Sequence, residues 1–258
     1  MKLVIKNTKE EMGKKAAIHA TALIKDAIEK RGQARILLST GASQFPFFEE
    51  FVKADIDWEK VEMFHLDEYV GISDSHPASF QRYLLDRFVN VVHPGKVHLI
   101  DGTKAPEETI AELTELLAEA PIDVGLIGIG ENAHIAFNDP PASFDDTCAY
   151  KVVTLAERCL QQQIGEGWFA NIDETYKQAI SMTCPEIMKC RSIISVVPYK
   201  VKAEAVYLTV TGELSPMVPA TLLKEHEDFT LYCDGDSAAM ILEDKRLKET
   251  VESLLVKD

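Results

Sequence analysis

Apolar residues, Met12, Ala16, Ile18, Ala20, Leu23, Ile24 and Ile28, recur at helical spacing over about residues 8–30. A short aliphatic run at 36–39 follows without polar interruption and predicts a buried strand. The alternation continues with a helix at about 47–54, a strand at 61–66, a helix at about 79–88, a strand at 97–100 and an acidic helix at about 106–119. The most apolar strand comes next, at 124–129, followed by an irregular stretch to about residue 152. Helical patterns are read through residue 162 and again at 175–178. Strands at 180–183, 193–197 and 229–232 then alternate with helices at about 201–209, 220–224 and 246–256.

Most of these strands are continuously apolar, so both of their faces are buried, which calls for a mostly parallel sheet covered by helices. The fold predicted is α/β, a three-layer doubly wound domain. No linker rich in Pro, Gly or Ser, no repeat and no low-complexity tract divides the chain, so residues 1–258 are read as a single domain. Ligands of such sheets lie beyond the carboxyl ends of the strands, and four polar segments occupy those places.

The first is Ser39-Thr40-Gly41-Ala42-Ser43. Gly41 permits a tight turn, Ser43 suits an N-cap, and free N–H groups at a helix start favour an anion. A plain serine-capped turn has the same appearance. In the second, Phe64-His65-Leu66-Asp67-Glu68-Tyr69, two carboxylates end an apolar strand. Alternation sends Asp67 and Glu68 in different directions, so one of them faces a ligand. A partly desolvated carboxylate there has a raised pKa and can move protons on carbon beside a carbonyl, although a capping or salt-bridged pair reads alike.

The third segment runs from Gly128 through Gly130, Asn132, His134 and Ala136 to Asp139 and Pro140. Its opening matches GxGxxA, but an Asn/Asp-Pro loop follows in place of a regular helix, which argues against a nicotinamide cofactor. His134 with Asp139 forms a proton-transfer pairing in which the carboxylate fixes the imidazole tautomer. The fourth segment places Lys200 and Lys202 after a strand at a helix start, where cations oppose the helix dipole unless an anion is near.

Charge narrows the choice of ligand. Lys+Arg of 27 against Asp+Glu of 42 leaves −15, which disfavours nucleic acid and anionic membrane surfaces as partners. A small phosphorylated ligand then needs local donors. The five cysteines show no CxxC pairing and read as free thiols, no signal peptide or membrane span is legible, and a cytoplasmic protein is expected.

Taken together, the four segments resemble the glucosamine-6-phosphate deaminase (isomerase) family, within a larger sugar-phosphate group that includes 6-phosphogluconolactonases. STGAS is similar to its phosphate loop, FHLDEYVGISDSHPASF to its catalytic-aspartate segment, and GIGENAHIAFNDP to its GxGxDGHIAFNEP loop. YKQAISMT and the lysine of VKAEA follow in the family's order and spacing. AHIAFNDP does not resemble the lactonases' GHTASLFP. The resemblance implies a hexosamine-6-phosphate deaminase/isomerase in which Asp67 shuttles a proton between C2 and C1 and His134 assists ring opening. It implies Asp139 and Asn132 beside the histidine, phosphate contacts from Gly41, Ala42, Ser43 and Lys202, and a sugar-lining role for Gly128 and Ala136. It implies no metal or organic cofactor. Three positions depart from the family pattern: Asn132 stands for an aspartate, Asp139 for a glutamate, and Gly167, Trp168 and Phe169 fall where an arginine meets the substrate. A galactosamine 6-phosphate substrate, a lactonase-like hydrolysis and a non-catalytic sugar-phosphate sensor are the alternatives. Domains of this kind often self-associate, but no residue pattern in the chain fixes how.

Overall fold

The computed structural model describes residues 1–165 and 167–256, with Gln162 described by its backbone only. Its strands are β1 (Lys2–Lys6), β2 (Ala34–Leu38), β3 (Val61–His65), β4 (Asp67–Tyr69), β5 (Lys96–His98), β6 (Val124–Leu126), β7 (Tyr150–Thr154), β8 (Gln178–Met182), β9 (Ser192–Val197) and β10 (Phe229–Asp234). The α-helices are α1 (Lys9–Arg31), α2 (Phe45–Phe51), α3 (Phe80–Leu84), α4 (Asn90–Val92), α5 (Pro106–Ala118), α6 (Glu157–Gly165), α7 (Cys184–Ile187), α8 (Ala203–Thr211), α9 (Ala239–Glu243) and α10 (Lys248–Leu254).

Seven strands form one parallel sheet in the order β1-β10-β9-β6-β2-β3-β5. β2 and β9 are buried along their whole length, so the predicted two-sided cover is present, with an apolar core on each face. The chain builds outward from β2 to β3 and β5, then returns to β6 on the other side of β2. The connections therefore diverge between β2 and β6, and the crevice beyond their carboxyl ends is the natural ligand position.

Three readings of the sequence are corrected. The strand read at 180–183 belongs to a second, three-stranded antiparallel sheet, β4-β8-β7, and not to the parallel one. Residues 175–178, read as helical, follow a 3-10 turn at Ile172–Glu174 in extended conformation and lead into β8, because sheet pairing supplies hydrogen bonds that an isolated turn of helix lacks. The segment around 220–224 is a 3-10 helix, Pro219–Glu225. Three strands escaped the sequence pattern, β1, β4 and β7, the last lying where an irregular stretch to about residue 152 and then helical patterns are read. β1 has lysines at both ends, which suit an exposed sheet edge and blur its apolar run. β4 is three residues long, two of them acidic.

α1 is fixed at both ends. Thr8 Oγ1 accepts the Glu11 N–H at 3.2 Å, Gly32 closes the helix at φ 80, and acidic and basic residues occupy the appropriate terminal turns. Gly13 on this helix lets α2 approach, for a Cβ there would lie 2.3 Å from the Pro46 carbonyl oxygen. At the amino end of the sheet, the buried Arg35 pairs with Glu62 at 3.0 Å and bonds the Leu116 carbonyl at 2.5 Å and the Ala120 carbonyl. This cluster fastens α5 to β2 and β3, far along the strands from the crevice.

Gly13→Ala tests the α1–α2 contact. Helix propensity alone would reward the change by about 1 kcal/mol. The collision with Pro46 makes it cost about 2 kcal/mol instead, so thermal melting falls by about 4–8 °C.

Candidate active site

The crevice holds a cleft lined by Ser39 to Gln44, Leu66, Asp67, Phe80, Gly128, Ile129, Gly130, His134, Ala136, Phe137, Gln163 and Lys202. The loop after β2 gives one wall, the loop after β6 the opposite wall, and the small sheet with α6 a third. Of the predicted residues, Gly41, Ala42, Ser43, Asp67, Gly128, His134, Ala136 and Lys202 all reach the cleft, while Asn132 and Asp139 stand behind His134.

Gly41 adopts φ 99, a conformation that only glycine takes readily, and begins a 3-10 turn over Ala42–Gln44. The Gly41 and Ala42 carbonyls accept from Tyr83 Oη at 3.1 Å and Tyr199 Oη at 3.5 Å. The N–H groups of Ala42 and Ser43 precede the first bond of the turn, which is donated by Gln44 N. Ser43 lies inside the turn, and no side chain caps it or α2, which corrects the N-cap reading. Lys202 is brought in by a second 3-10 turn, Lys200–Lys202, entered through Tyr199 at φ 78, whose N–H is held by Asp234 at 3.1 Å. Lys202 is buried at the cleft, whereas Lys200 points to solvent.

Asp67 and Glu68 diverge as strand alternation requires. Glu68 is fully buried and turned away, accepting from Tyr69 N at 2.9 Å, Ser79 Oγ at 2.9 Å and Gln81 N at 2.7 Å, so it ties β4 to the start of α3 and sets Phe80 against the cleft. Asp67 faces the cleft with no donor among the described residues. Burial, and then the neighbouring Glu68 charge, raise its pKa to about 8. Burial also raises Glu68 to about 7, against the lowering effect of its hydrogen bonds. Behind them, burial pushes His65 down to about 3, so it is a neutral acceptor for Ile100 N at 3.3 Å.

His134 sits on a loop with positive φ at Ala133 (63) and Ala136 (50). That strain is held by Asn138, which donates to the Ile135 and Met182 carbonyls, and by Ser181 Oγ, which accepts from Phe137 N at 3.0 Å. Gly130 gives the imidazole its place, since a Cβ there would fall 2.2 Å from the ring. Asp139 Oδ1 lies 3.2 Å from His134 Nδ1, an ion-pair distance without the alignment of a hydrogen bond. Asn132 donates to the same Oδ1 at 3.0 Å and accepts from His134 N at 3.2 Å, and Ala156 N approaches Oδ2 at 3.3 Å. Burial would raise Asp139, but His134 first, then Asn132 and Ala156 N, outweigh it and hold its pKa below the ordinary value. Asn132 thus positions Asp139 by its side chain and touches the histidine only at the backbone.

Gly167, Trp168 and Phe169 do not line the cleft; the two rings belong to an apolar cluster with Tyr69, Phe137 and Leu160 that borders it through Phe137. Sequence reasoning missed Phe80, Gln44 and Gln163 as cleft residues. Gln163 left one legible trace: it shares the apolar face of α6 with Cys159 and Leu160, where a carboxamide is out of place. Among the described residues no group of three or more His, Cys, Asp or Glu could hold a metal, and no helix is long and apolar enough to cross a membrane.

The fold and the cleft together define an α/β protein of the sugar-phosphate isomerase type. Residues 7–232 match the family model described as glucosamine-6-phosphate isomerases/6-phosphogluconolactonase, and the chain belongs to that family. A glucosamine-6-phosphate deaminase of Thermoanaerobacter sp. (strain X514) is 34% identical over 257 residues, covering 96% of this chain and 98% of its own. A solved monomeric glucosamine-6-phosphate deaminase superposes with TM-score 0.85 at 29% identity, over 93% of this chain and 100% of that one. A putative 6-phosphogluconolactonase from Neisseria gonorrhoeae FA 1090 shares the fold, with TM-score 0.72 at 16% identity over 91% of this chain and 99% of that one.

The raised carboxyls give a stability prediction with a defined sign. Folded Asp67 keeps its proton to about pH 8, whereas the unfolded carboxyl loses it near pH 4. Its contribution is therefore full below about pH 4 and is lost as pH rises through about 8. Denaturant unfolding from pH 4 to 8.5 should show stability of Asp67→Asn falling less steeply with pH than that of the wild type.

Proposed function

We propose that the protein is a hexosamine-6-phosphate deaminase/isomerase, converting an amino-sugar 6-phosphate and water to a ketose 6-phosphate and ammonia. The observation that carries this reading is a cleft-facing, desolvated Asp67 set between a backbone anion loop with Lys202 and the His134–Asp139 pair. The deaminase relatives add the reaction class.

In this reading the phosphate rests on the Ala42 and Ser43 N–H groups, the Ser43 hydroxyl and Lys202, which fixes the far end of the open-chain sugar. Gly128 and Ala136 border the sugar because neither carries a side chain large enough to fill the space. Asp67 removes the C2 proton as carboxylate and returns a proton to C1 as carboxylic acid. A pKa near the working pH suits both halves of that exchange. With Nδ1 facing Asp139, His134 is left with Nε2 for the ring oxygen, and Asp139 stabilises the imidazolium when it forms. Asn132 keeps Asp139 in place without adding a second negative charge.

Asp67→Asn should lower ammonia release from glucosamine 6-phosphate and galactosamine 6-phosphate by about 10²–10⁴-fold, while both sugars still raise the melting temperature. Unchanged turnover would falsify the role of Asp67.

A further inference from the structure

We propose that Gln163 is a substrate-recognition residue, its side-chain carbonyl oxygen accepting a hydrogen bond from an ammonium or hydroxyl group of the amino sugar. The inference rests on the reading of the cleft as a hexosamine-6-phosphate site and adds a contact to it from the third wall.

Gln163 occupies the last turn of α6, and its backbone carbonyl accepts from Trp168 N at 3.1 Å, which anchors the residue at the point where the helix ends. It lines the cleft and is 6% exposed, yet its Oε1 has no hydrogen-bond partner. Buried polar atoms are nearly always partnered, and leaving a carbonyl oxygen unpaired is costly. The surroundings give no reason for a carboxamide: Cys159, Leu160, Phe137 and Phe169 form an apolar cluster in which leucine would pack as well. The polar atom is accounted for if the missing donor arrives with the ligand.

The kind of donor follows from the atom. A carbonyl oxygen repels phosphate oxygens and attracts –NH3⁺ or –OH, and the phosphate already has the loop after β2 and Lys202. Gln163 is also the polar side chain that α6 presents to the cleft among the described residues. The other polar groups come from loops of the parallel sheet or from β4. Phe80 and Phe137, whose rings stack at 5.7 Å, line the same cleft.

Gln163→Leu and Gln163→Glu separate the possibilities. Leucine removes both amide functions, whereas glutamate keeps an acceptor and removes the donor. Thermal-shift titration with glucosamine 6-phosphate, galactosamine 6-phosphate and inorganic phosphate, together with KM and kcat for ammonia release, supplies the readouts. Gln163→Leu should weaken binding of the amino sugar about tenfold or more, leave the affinity for inorganic phosphate unchanged, and raise KM more than it lowers kcat. Gln163→Glu should stay within about threefold of the wild type. Unchanged amino-sugar affinity in Gln163→Leu overturns the assignment. So does an equal loss for inorganic phosphate, or a Gln163→Glu variant that folds and loses as much as leucine, since neither result is that of an acceptor to the amino sugar. If Gln163→Glu does not fold, the comparison of amino sugar with inorganic phosphate on Gln163→Leu decides alone. A wild-type protein stabilised by neither amino-sugar phosphate overturns the reading of the site itself, an outcome distinct from an unaffected leucine variant.

Discussion

The chain changes sheets at a single residue, and much of the site depends on that passage. β3 ends at His65 in the parallel sheet, Leu66 still donates to Leu38 O at 3.2 Å, and its own carbonyl accepts from Met182 N at 3.0 Å in the small sheet. Asp67 then pairs with Ser181 in antiparallel register. Tyr150 Oη closes the junction on the His65 carbonyl at 2.7 Å. Because Leu66 is bonded to both sheets and the His65 carbonyl to Tyr150, the backbone on the near side of Asp67 is fixed at the mouth of the crevice. The desolvation that raises its pKa is a consequence of the same junction, since a carboxylate placed between two sheets is shielded by both.

The junction also explains the division of labour between two adjacent acids. The one turned outward from the cleft, Glu68, is used for structure, gathering N–H and hydroxyl donors from the start of α3 and thereby fixing Phe80. The one turned inward, Asp67, is left without donors. The donors offset part of the burial that raises Glu68 to about 7, whereas nothing offsets the burial of Asp67, which is raised further, to about 8. Alternation along three residues of strand is enough to produce both.

How much of this was legible in the sequence depended on whether a residue's role was local. The parallel sheet announced itself through uninterrupted apolar runs such as 193–197, and the strand-end rule then led to Gly41, Asp67, Gly128 and Lys202, each of which lies within five residues of the end of a strand of that sheet. The opposite behaviour of Asp67 and Glu68 was legible for the same reason. The small sheet was not, because β4 contains two acids in three residues and β7 shows its alternation at the end of a stretch without other regularity. Its existence depends on pairings between residues distant in sequence, such as Glu68 with Ile180 and Val152 with Ile180 beyond it, and no local pattern encodes them. Gln163 was hidden by the same cause, since α6 becomes a wall of the cleft only after β7 and β8 have placed it there.

The acidic surface and the anion site are compatible because the site is insulated from the surface. A formal charge of −15 acts through solvent, where salt screens it over about 10 Å. Inside the cleft the relevant field comes from Lys202, which is buried, and from backbone N–H groups whose carbonyls are turned to Tyr83 and Tyr199. Asn132 fits this economy of charge. An aspartate in its place would put a second carboxylate about 3 Å from Asp139, adding repulsion within the wall of the cleft. The amide keeps the position of Asp139 through its N–H and returns the His134 backbone bond through its oxygen. The histidine wall therefore carries a single carboxylate charge, opposite a loop whose Ala42 and Ser43 N–H groups precede the first bond of its turn.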